Sequence, residues 1–454
     1  MTADGSSSRS RQPDAGVHAP FRRAEADSRA VPFVDREGQA RASRQRRPQG
    51  RLVTAAIVAI LLVFAAWPLL HPGHHTAATT RTQSTPGPLP RRAPPRPARP
   101  PATKLAPRPS RARARPSRTR TRRATNVYAA DAAGRLTGAA RFARPLVYVP
   151  NSLSGTVDVI DQRTFRIVES FPVGALPQHV VPAYDLRTLY VTNDEGNSLT
   201  AIDPTTGRRG RTIPVSDPYN MYFTPDGRYA IVVAERLARL DFRDAHSFRL
   251  HRSLAVPCSG VDHMDFSADG SYLLASCEFS SQLVKVDVAR EHVLGTLTLP
   301  TGGAPQDVKL SPDGRLFYVA DMLAGGVWEI DGARLRVAGF IRTGAGAHGL
   351  YASRDTRYLY VSNRSAGSIS LISFKTHRLV TSWHIPGGGS PDMGNVSADG
   401  RVLWLSGRYD GVVYAISTRN GRLLARIPVG LGPHGLCVWP QPGRYSLGHT
   451  GILR

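Results

Sequence analysis

Three cysteines in 454 residues exclude a scaffold built from disulfides and a thiolate metal cluster. Acidic residues are missing altogether from 52–123, a stretch with 14 Lys and Arg. Residues 1–51 carry 11 Arg against 6 acids, which leaves 34 basic and 28 acidic side chains for 124–454. Of the net charge of +25, only +6 therefore belongs to that larger part. A nucleic-acid-binding domain would concentrate its positive charge on folded surface, so no specific nucleic-acid site is expected after residue 124. From 146 to 440 no segment has the period of an amphipathic helix. The same region lacks GxSxG, HExxH, P-loop and dinucleotide signatures, and a CxxCH haem motif is missing too.

Long apolar runs are equally scarce. The one that dominates the first quarter is Leu52–Leu70, LVTAAIVAILLVFAAWPLL, whose only hydrophilic residue is Thr54. Its 19 residues span roughly 28 Å as a helix, about one hydrocarbon core. Fifty-one residues precede it, which favours an uncleaved signal anchor over a cleaved signal peptide, with a cut near Ala77-Ala78 as the other reading. Arg41, Arg44, Arg46, Arg47 and Arg51 crowd its N-terminal side, whereas the next charge beyond it is Arg81. The positive-inside rule then predicts a cytoplasmic N-terminus and an extracytoplasmic remainder, hence a single-pass protein of the cell membrane.

The segments on either side of this run have no periodicity. Residues 1–51 are polar with isolated aromatics, too poor in apolar surface to offset chain entropy, and read as a disordered cytoplasmic tail. Residues 71–140 read as a disordered stalk, rich in Pro and Arg. Proline at this density favours an extended polyproline-like chain, up to roughly 150 Å at ~3.1 Å per residue. Two roles stay open for Arg108–Arg123: a self-repelling spacer, or a binder of anionic polymer such as wall phosphate, lipid headgroups or DNA.

The remaining segment, 141–454, repeats itself. An apolar strand recurs as VYVPN (147–151), LYVTN (189–193), AIVVA (230–234), LLASC (273–277), FYVAD (317–321), LYVSN (359–363) and LWLSG (403–407), at spacings of roughly 41 to 45 residues. That is the length of a four-stranded propeller blade. Ser/Thr-x-Asp-Gly turns precede four of these strands, at 224–227, 267–270, 311–314 and 397–400, where Asp-Gly suits the left-handed backbone of a tight hairpin. Seven landmarks predict an all-β, seven-bladed β-propeller. The chain enters at 146 on a second strand, so PHGLCVWPQPG (433–443) is predicted to supply the missing innermost strand and close the ring. The segment RYSLGHT (444–450) either competes with 146–150 for its slot or runs across one face.

VYVPN, LYVTN and LYVSN, with SPDGR turns and IPVG endings, resemble the YVTN-family β-propeller repeat of YncE-like and surface-layer-type extracytoplasmic proteins. The resemblance covers about 146–440. It implies a mostly non-enzymatic propeller, a relative of which is associated with DNA binding, and it supplies no catalytic motif to carry over.

Innermost strands of a propeller begin at one mouth of a central channel. The polar residues at these starts are His179, Asn220, Asp262 with His263, Gln306 with Asp307, His348, Asp392 and His434. Imidazole and carboxylate at equivalent places in several blades could bind a metal or an anion, or simply hydrate the channel. His348, Asp392 and His434 sit one position earlier than His179 and Asp307, an offset that could turn their side chains away. Cys258 and Cys277 are a candidate disulfide, worth about 3 kcal/mol at a separation of nineteen residues, or two buried thiols; Cys437 reads as core. Together these features point to a membrane-anchored extracytoplasmic propeller that binds or scaffolds a protein, glycan or small ligand at the envelope. The alternatives are a hydrolase or lyase with a central His/Asp site, and anionic-polymer binding through the stalk. No cofactor is implied.

Overall fold

A computed structural model describes residues 126–454 apart from Thr301. The apolar run 52–70, its flanking segments and Arg108–Arg123 lie outside the described residues. Among the described residues no helix is long and apolar enough to cross a membrane. They contain twenty-eight strands, numbered β1 to β28 in chain order, in seven four-stranded antiparallel sheets. Six sheets are four consecutive strands. The seventh pairs β28 (Cys437–Trp439) with β1 (Leu146–Asn151), followed by β2 (Thr156–Asp161) and β3 (Arg166–Pro172). Leu146, Val147 and Tyr148 lie opposite Trp439, Val438 and Cys437. The ring is a seven-bladed propeller closed by both ends of the repeat, as the sequence predicts.

Burial falls from the axis outward. The innermost strands β4 (Pro177–Pro182), β12 (Val261–Phe266) and β16 (Pro305–Leu310) are buried at every residue, because neighbouring blades converge there and cover both faces. The outermost strand of a blade is a free edge, and β3 is mostly exposed, as is β7 (Arg209–Pro214) with Arg209 and Arg211. Charge on an exposed edge discourages strand addition by another chain. Apolar clusters fill the spaces between blades. Val147, Ile160 and Val438 of the first blade pack on Trp404 and Val413 of the seventh, and Tyr148, Val159 and Trp439 pack on Val180 and Val191 of the second.

The recurring Val-Thr/Ser-Asn has a mechanical explanation. Near the start of an innermost strand the register slips by one residue, between Pro177 and His179, Val261 and Met264, and Pro391 and Gly394. The strands β20 (Ala347–Ala352) and β16 carry the same bulge. A bulge removes an N–H from the ladder. The Thr or Ser of the landmark strand takes it up: His179 N donates to Thr192 Oγ1 at 3.1 Å, His263 N to Ser276 Oγ at 3.2 Å, Gly349 N to Ser362 Oγ at 2.8 Å and Met393 N to Ser406 Oγ at 3.2 Å. The following Asn ties down the next hairpin, with Asn193 Nδ2 donating to Thr200 Oγ1 at 2.9 Å and Asn363 Nδ2 to Ser370 Oγ at 3.0 Å. The glycine that ends the previous blade leaves room for that Asn. A Cβ on Gly174 would stand 2.6 Å from Asn193 Cβ, and one on Gly430 2.7 Å from Asn151 Cγ.

We call the face where innermost strands begin the upper face. The lower face carries the Ser/Thr-x-Asp turns, each closed by its own hydroxyl, as in Ser311 Oγ to Asp313 Oδ1 at 2.6 Å. Residues 126–142, which the sequence assigns mostly to the stalk, pack across this lower face. Val127 N donates to Pro312 O, Gly134 N to Ala398 O, and the buried Tyr128 donates its hydroxyl to Leu310 O at 2.7 Å. Asp131 pairs with Arg354, also buried. The folded unit therefore begins before 141, because these side chains find partners on blades five to seven. RYSLGHT does not take the strand slot. Residues 444–454 double back as a short hairpin, with Leu447 N donating to Ile452 O and Arg444 N to Arg454 O, that fills the lower part of the channel. Leu447 and Ile452 join Tyr222 and Phe266 in the core, and Arg454 bonds Asp265 at 2.8 Å.

Cys258 and Cys277 are joined in a disulfide, and Cys437 is a buried free thiol. Reducing the bond, or replacing both residues with serine, is expected to cost about 3 kcal/mol of stability, measured by urea unfolding. Gly174→Ala is expected to cost about 1–3 kcal/mol through overpacking against Asn193 in the same measurement, whereas a substitution at the exposed Gly387, with open space around it, should cost less from crowding.

Candidate functional site

Five histidines meet at the upper end of the channel. His179 comes from β4, His263 from β12, His348 from β20, His434 from just before β28, and His449 from the tip of the C-terminal hairpin. All five are essentially inaccessible, at 0–2% exposure. Ring centroids of His179 lie 4.9 Å from His434, 5.3 Å from His449 and 5.5 Å from His263; His263 and His449 are 5.0 Å apart. His348 stands 5.9 Å from His434 and 6.2 Å from His263.

Hydrogen bonds set the protonation of each ring. His179 Nδ1 faces the Tyr219 carbonyl at 2.9 Å and must donate to it, which leaves a lone pair on Nε2. His434 Nδ1 donates to Asp392 Oδ2 at 2.7 Å, with the same result for its Nε2. His348 Nδ1 faces the other Asp392 oxygen at 3.0 Å and its Nε2 accepts from Arg364. The His179 and His434 Nε2 atoms and the His263 Nε2 are buried without a partner. Asp392 is the hub of one half. Burial works to raise its carboxyl, but Arg364, at 2.7 Å, His348 and Arg408 outweigh it and hold it below the ordinary range. At Asp307 burial prevails and raises the carboxyl, although Lys309, His263 and the Leu350 N–H at 2.9 Å oppose it.

The residues named from the sequence lie at or beside this centre, with Gln306 the exception. The bulges turn His179, His263 and Asp307 inward, and the offset of His348, Asp392 and His434 brings those three into contact rather than apart. Asn220 and Asp307 act through His449: Asn220 Nδ2 donates to its Nδ1 at 3.0 Å, and Asp307 Oδ1 lies 3.8 Å from its Nε2. Gln306 is buried near the Ala304 carbonyl and not among the rings. Sequence reasoning missed His449, Arg364, Arg408 and Tyr219. The signal for His449 was a lone histidine between Gly448 and Gly451 in a tail that the repeat does not explain. Arg364 and Arg408 follow landmark strands, at the place Asp194, Glu235 and Glu278 occupy on blades two to four. The rim is thus acidic on one side and basic on the other. Burial, with neighbouring carboxylates, raises Glu235 to about 8 and Asp194 to about 7, while Arg236 pairs with Asp217 at 2.6 Å and Asp194 at 3.5 Å.

A family model of the YncE-like β-propeller matches residues 126–442. The chain belongs to this family. No curated protein matches it. Solved structures share the fold: a functionally unknown protein from Desulfotomaculum acetoxidans DSM 771 is 14% identical at a TM-score of 0.54, over 65% of this chain and 99% of its own. Kuenenia stuttgartiensis hydrazine synthase is 19% identical at 0.52, over 60% of this chain and 92% of that one.

In the YncE-like propeller the buried rings are held neutral. Burial lowers all five from the usual 6.5, reinforced for His179 by His263 and for His348 by Arg364, and takes His263 to about 4. Unfolded chains bind these protons below pH 6.5 and the native state does not, so stability is full above that pH and lost as pH falls. Each ring contributes up to about 1.4 kcal/mol per pH unit within its window. The melting temperature is therefore expected to drop steeply from pH 6.5 towards 4, and less steeply in His263→Gln. A flat profile over that range would contradict the neutral assignment.

Proposed function

We propose that this YncE-like propeller is a binding module of the cell envelope, held at the membrane by residues 52–70 with its upper face offered to a protein, glycan or small ligand outside the cytoplasm. The observation that carries the reading is the asymmetry of the channel. Its lower end is filled by the C-terminal hairpin and crossed by residues 126–142, whereas its upper end holds buried nitrogens without partners. Leaving such a group unpaired costs about 1–3 kcal/mol, a cost that a purely structural channel gains nothing by keeping and that a ligand would offset. Asn126, the first described residue, is bonded to Thr356 of a turn on the lower face. In this reading Arg108–Arg123 add a non-specific contact to anionic polymer of the envelope.

A hydrolytic role is the second reading, favoured by one pair. His434, oriented by Asp392 at 2.7 Å and with a free Nε2 lone pair, has the geometry of a general base. It predicts lactone hydrolysis that is lost in His434→Gln.

The binding reading is tested in intact cells and on the purified full chain. Leu379→Cys, on an exposed outer strand, is expected to react with a membrane-impermeant maleimide without lysis, and deletion of 52–70 to release the protein from the membrane fraction. Native mass spectrometry of the solubilised full chain should show one bound species per chain, lost in a His179→Gln/His434→Gln double variant. Labelling only after lysis overturns the location, and a bare chain under all conditions overturns the binding role.

A further inference from the structure

Resting on that binding reading, the chemistry of the cup narrows the ligand. We propose that His179, His263 and His449 hold one divalent first-row transition-metal ion, with the C-terminal hairpin delivering the third ligand.

The ring nitrogens these residues offer all lie within 4.8 Å of one another, and all three side chains are buried. Imidazole nitrogens at 2.0–2.1 Å from a tetrahedral ion stand about 3.4 Å apart, so each pair of rings closes in by up to about 1.4 Å. Centroid spacings of 5.0–5.5 Å leave room among the rings for an ion and not for an organic molecule.

The tautomers favour a cation. His179 donates from Nδ1 to the Tyr219 carbonyl and so turns an Nε2 lone pair inward, the backbone-carbonyl support typical of a metal-bound histidine. His263 has the Asp262 carboxylate 3.2 Å from Nδ1, while its Nε2 has no partner. His449 is the ring that must change. Its Nδ1 accepts from Asn220, so its proton sits on Nε2. On metal binding that proton moves to Nδ1, the Asn220 amide turns to present its oxygen and gives up the bond it accepts from Met221 N at 2.8 Å, and no net proton is released. Two carboxylates flank the ion: Asp262 behind His263, and Asp307, whose buried Oδ1 lies 3.8 Å from His449 Nε2 without a hydrogen bond. Their oxygens border the site, the kind of neighbour that a buried cation requires. The partnerless His434 Nε2, on the ring 4.9 Å from His179, borders the remaining side. An anion finds the opposite environment here, since lone pairs and carboxylates would face it.

A second consequence concerns the tail. His449 N donates to Met221 O at 2.9 Å, and Thr450 Oγ1 to Gly394 O at 2.9 Å, so the hairpin tip is seated on the innermost strands of the third and seventh blades. Gly448, at φ +101°, allows this approach, because a Cβ there would lie 2.4 Å from Met221 O. An ion bridging blades two and four to this tip ties the hairpin into the ring.

The experiment titrates chelator-treated full-length protein with Co2+ and then Zn2+. One Co2+ per chain, a visible absorption band of tetrahedral Co2+, and displacement by Zn2+ are expected. His179→Gln and His449→Gln are each expected to weaken Co2+ binding by about 10-fold or more, while His246→Gln, exposed on an outer turn, leaves it unchanged. Because a buried variant could unfold, Cu2+ bound to the wild-type chain gives an independent count of imidazoles from nitrogen hyperfine splitting, expected to be three or four. The proposal is overturned by no uptake at about 100 μM Co2+ or Zn2+, by uptake that survives in a His179→Gln/His449→Gln double variant, or by fewer than three imidazoles. A metal-free chain that still carries an organic species in native mass spectrometry overturns the metal and keeps the binding module; a chain with neither overturns both.

Discussion

The pairing of β28 with β1 carries the molecule. Three residues, Cys437 to Trp439, complete the first blade, and through it the first and last parts of the repeat are held in one sheet. Seven sheets left open would expose two apolar faces, those now shared by Val438 with Trp404 and by Trp439 with Val180. Closure also determines what stands on either side of the short strand. His434 lies just before it and is placed against Asp392 of the seventh blade. The hairpin follows it and can only turn into the channel, because the neighbouring strand position is taken by residues 146–151. The site thus depends on ring closure twice.

Fold and site share the same devices. A bulge near the start of an innermost strand is a cost to the ladder, recovered by the Thr or Ser hydroxyl of the next strand. That compensation is what allows His179, His263 and Gly349 to leave regular pairing and the neighbouring side chains to aim at the axis. The repeat motif is therefore a mounting for inward-facing groups, whose identity varies among blades. Blades two, four and six carry imidazole, blades five and seven a carboxylate, and the third blade an asparagine that serves His449.

Within the centre, two halves differ in electrostatics. Asp392, Arg364, His348 and His434 form a paired network in which each charge is answered. His179 is held by the Tyr219 carbonyl and His449 by Asn220, each through one nitrogen, and the remaining nitrogens of these rings and of His263 sit among Asp262 and Asp307. Such an unanswered cluster is destabilising by itself. Unpartnered ring nitrogens that extend from this cluster to His434 Nε2 are an arrangement that core packing alone would not select.

Much of the architecture was legible in the sequence. Blade number, strand order and the closing strand follow from a period of about forty residues and from the position of PHGLCVWPQPG, because a blade is a local unit whose pattern each repeat states again. The candidate pair Cys258 and Cys277 and the polar strand starts were legible for the same reason. The direction of the side chains was not, since period-two alternation fails at a bulge and the offset of His348, Asp392 and His434 was ambiguous until the register was known. Nor was the role of Arg364 and Arg408, whose places above the channel depend on ring curvature. His449 belongs wholly to tertiary structure: it lies 270 residues from His179 in sequence, in a tail without repeat or period, and only packing of the hairpin against Met221, Gly394 and Asp265 brings it to the other rings.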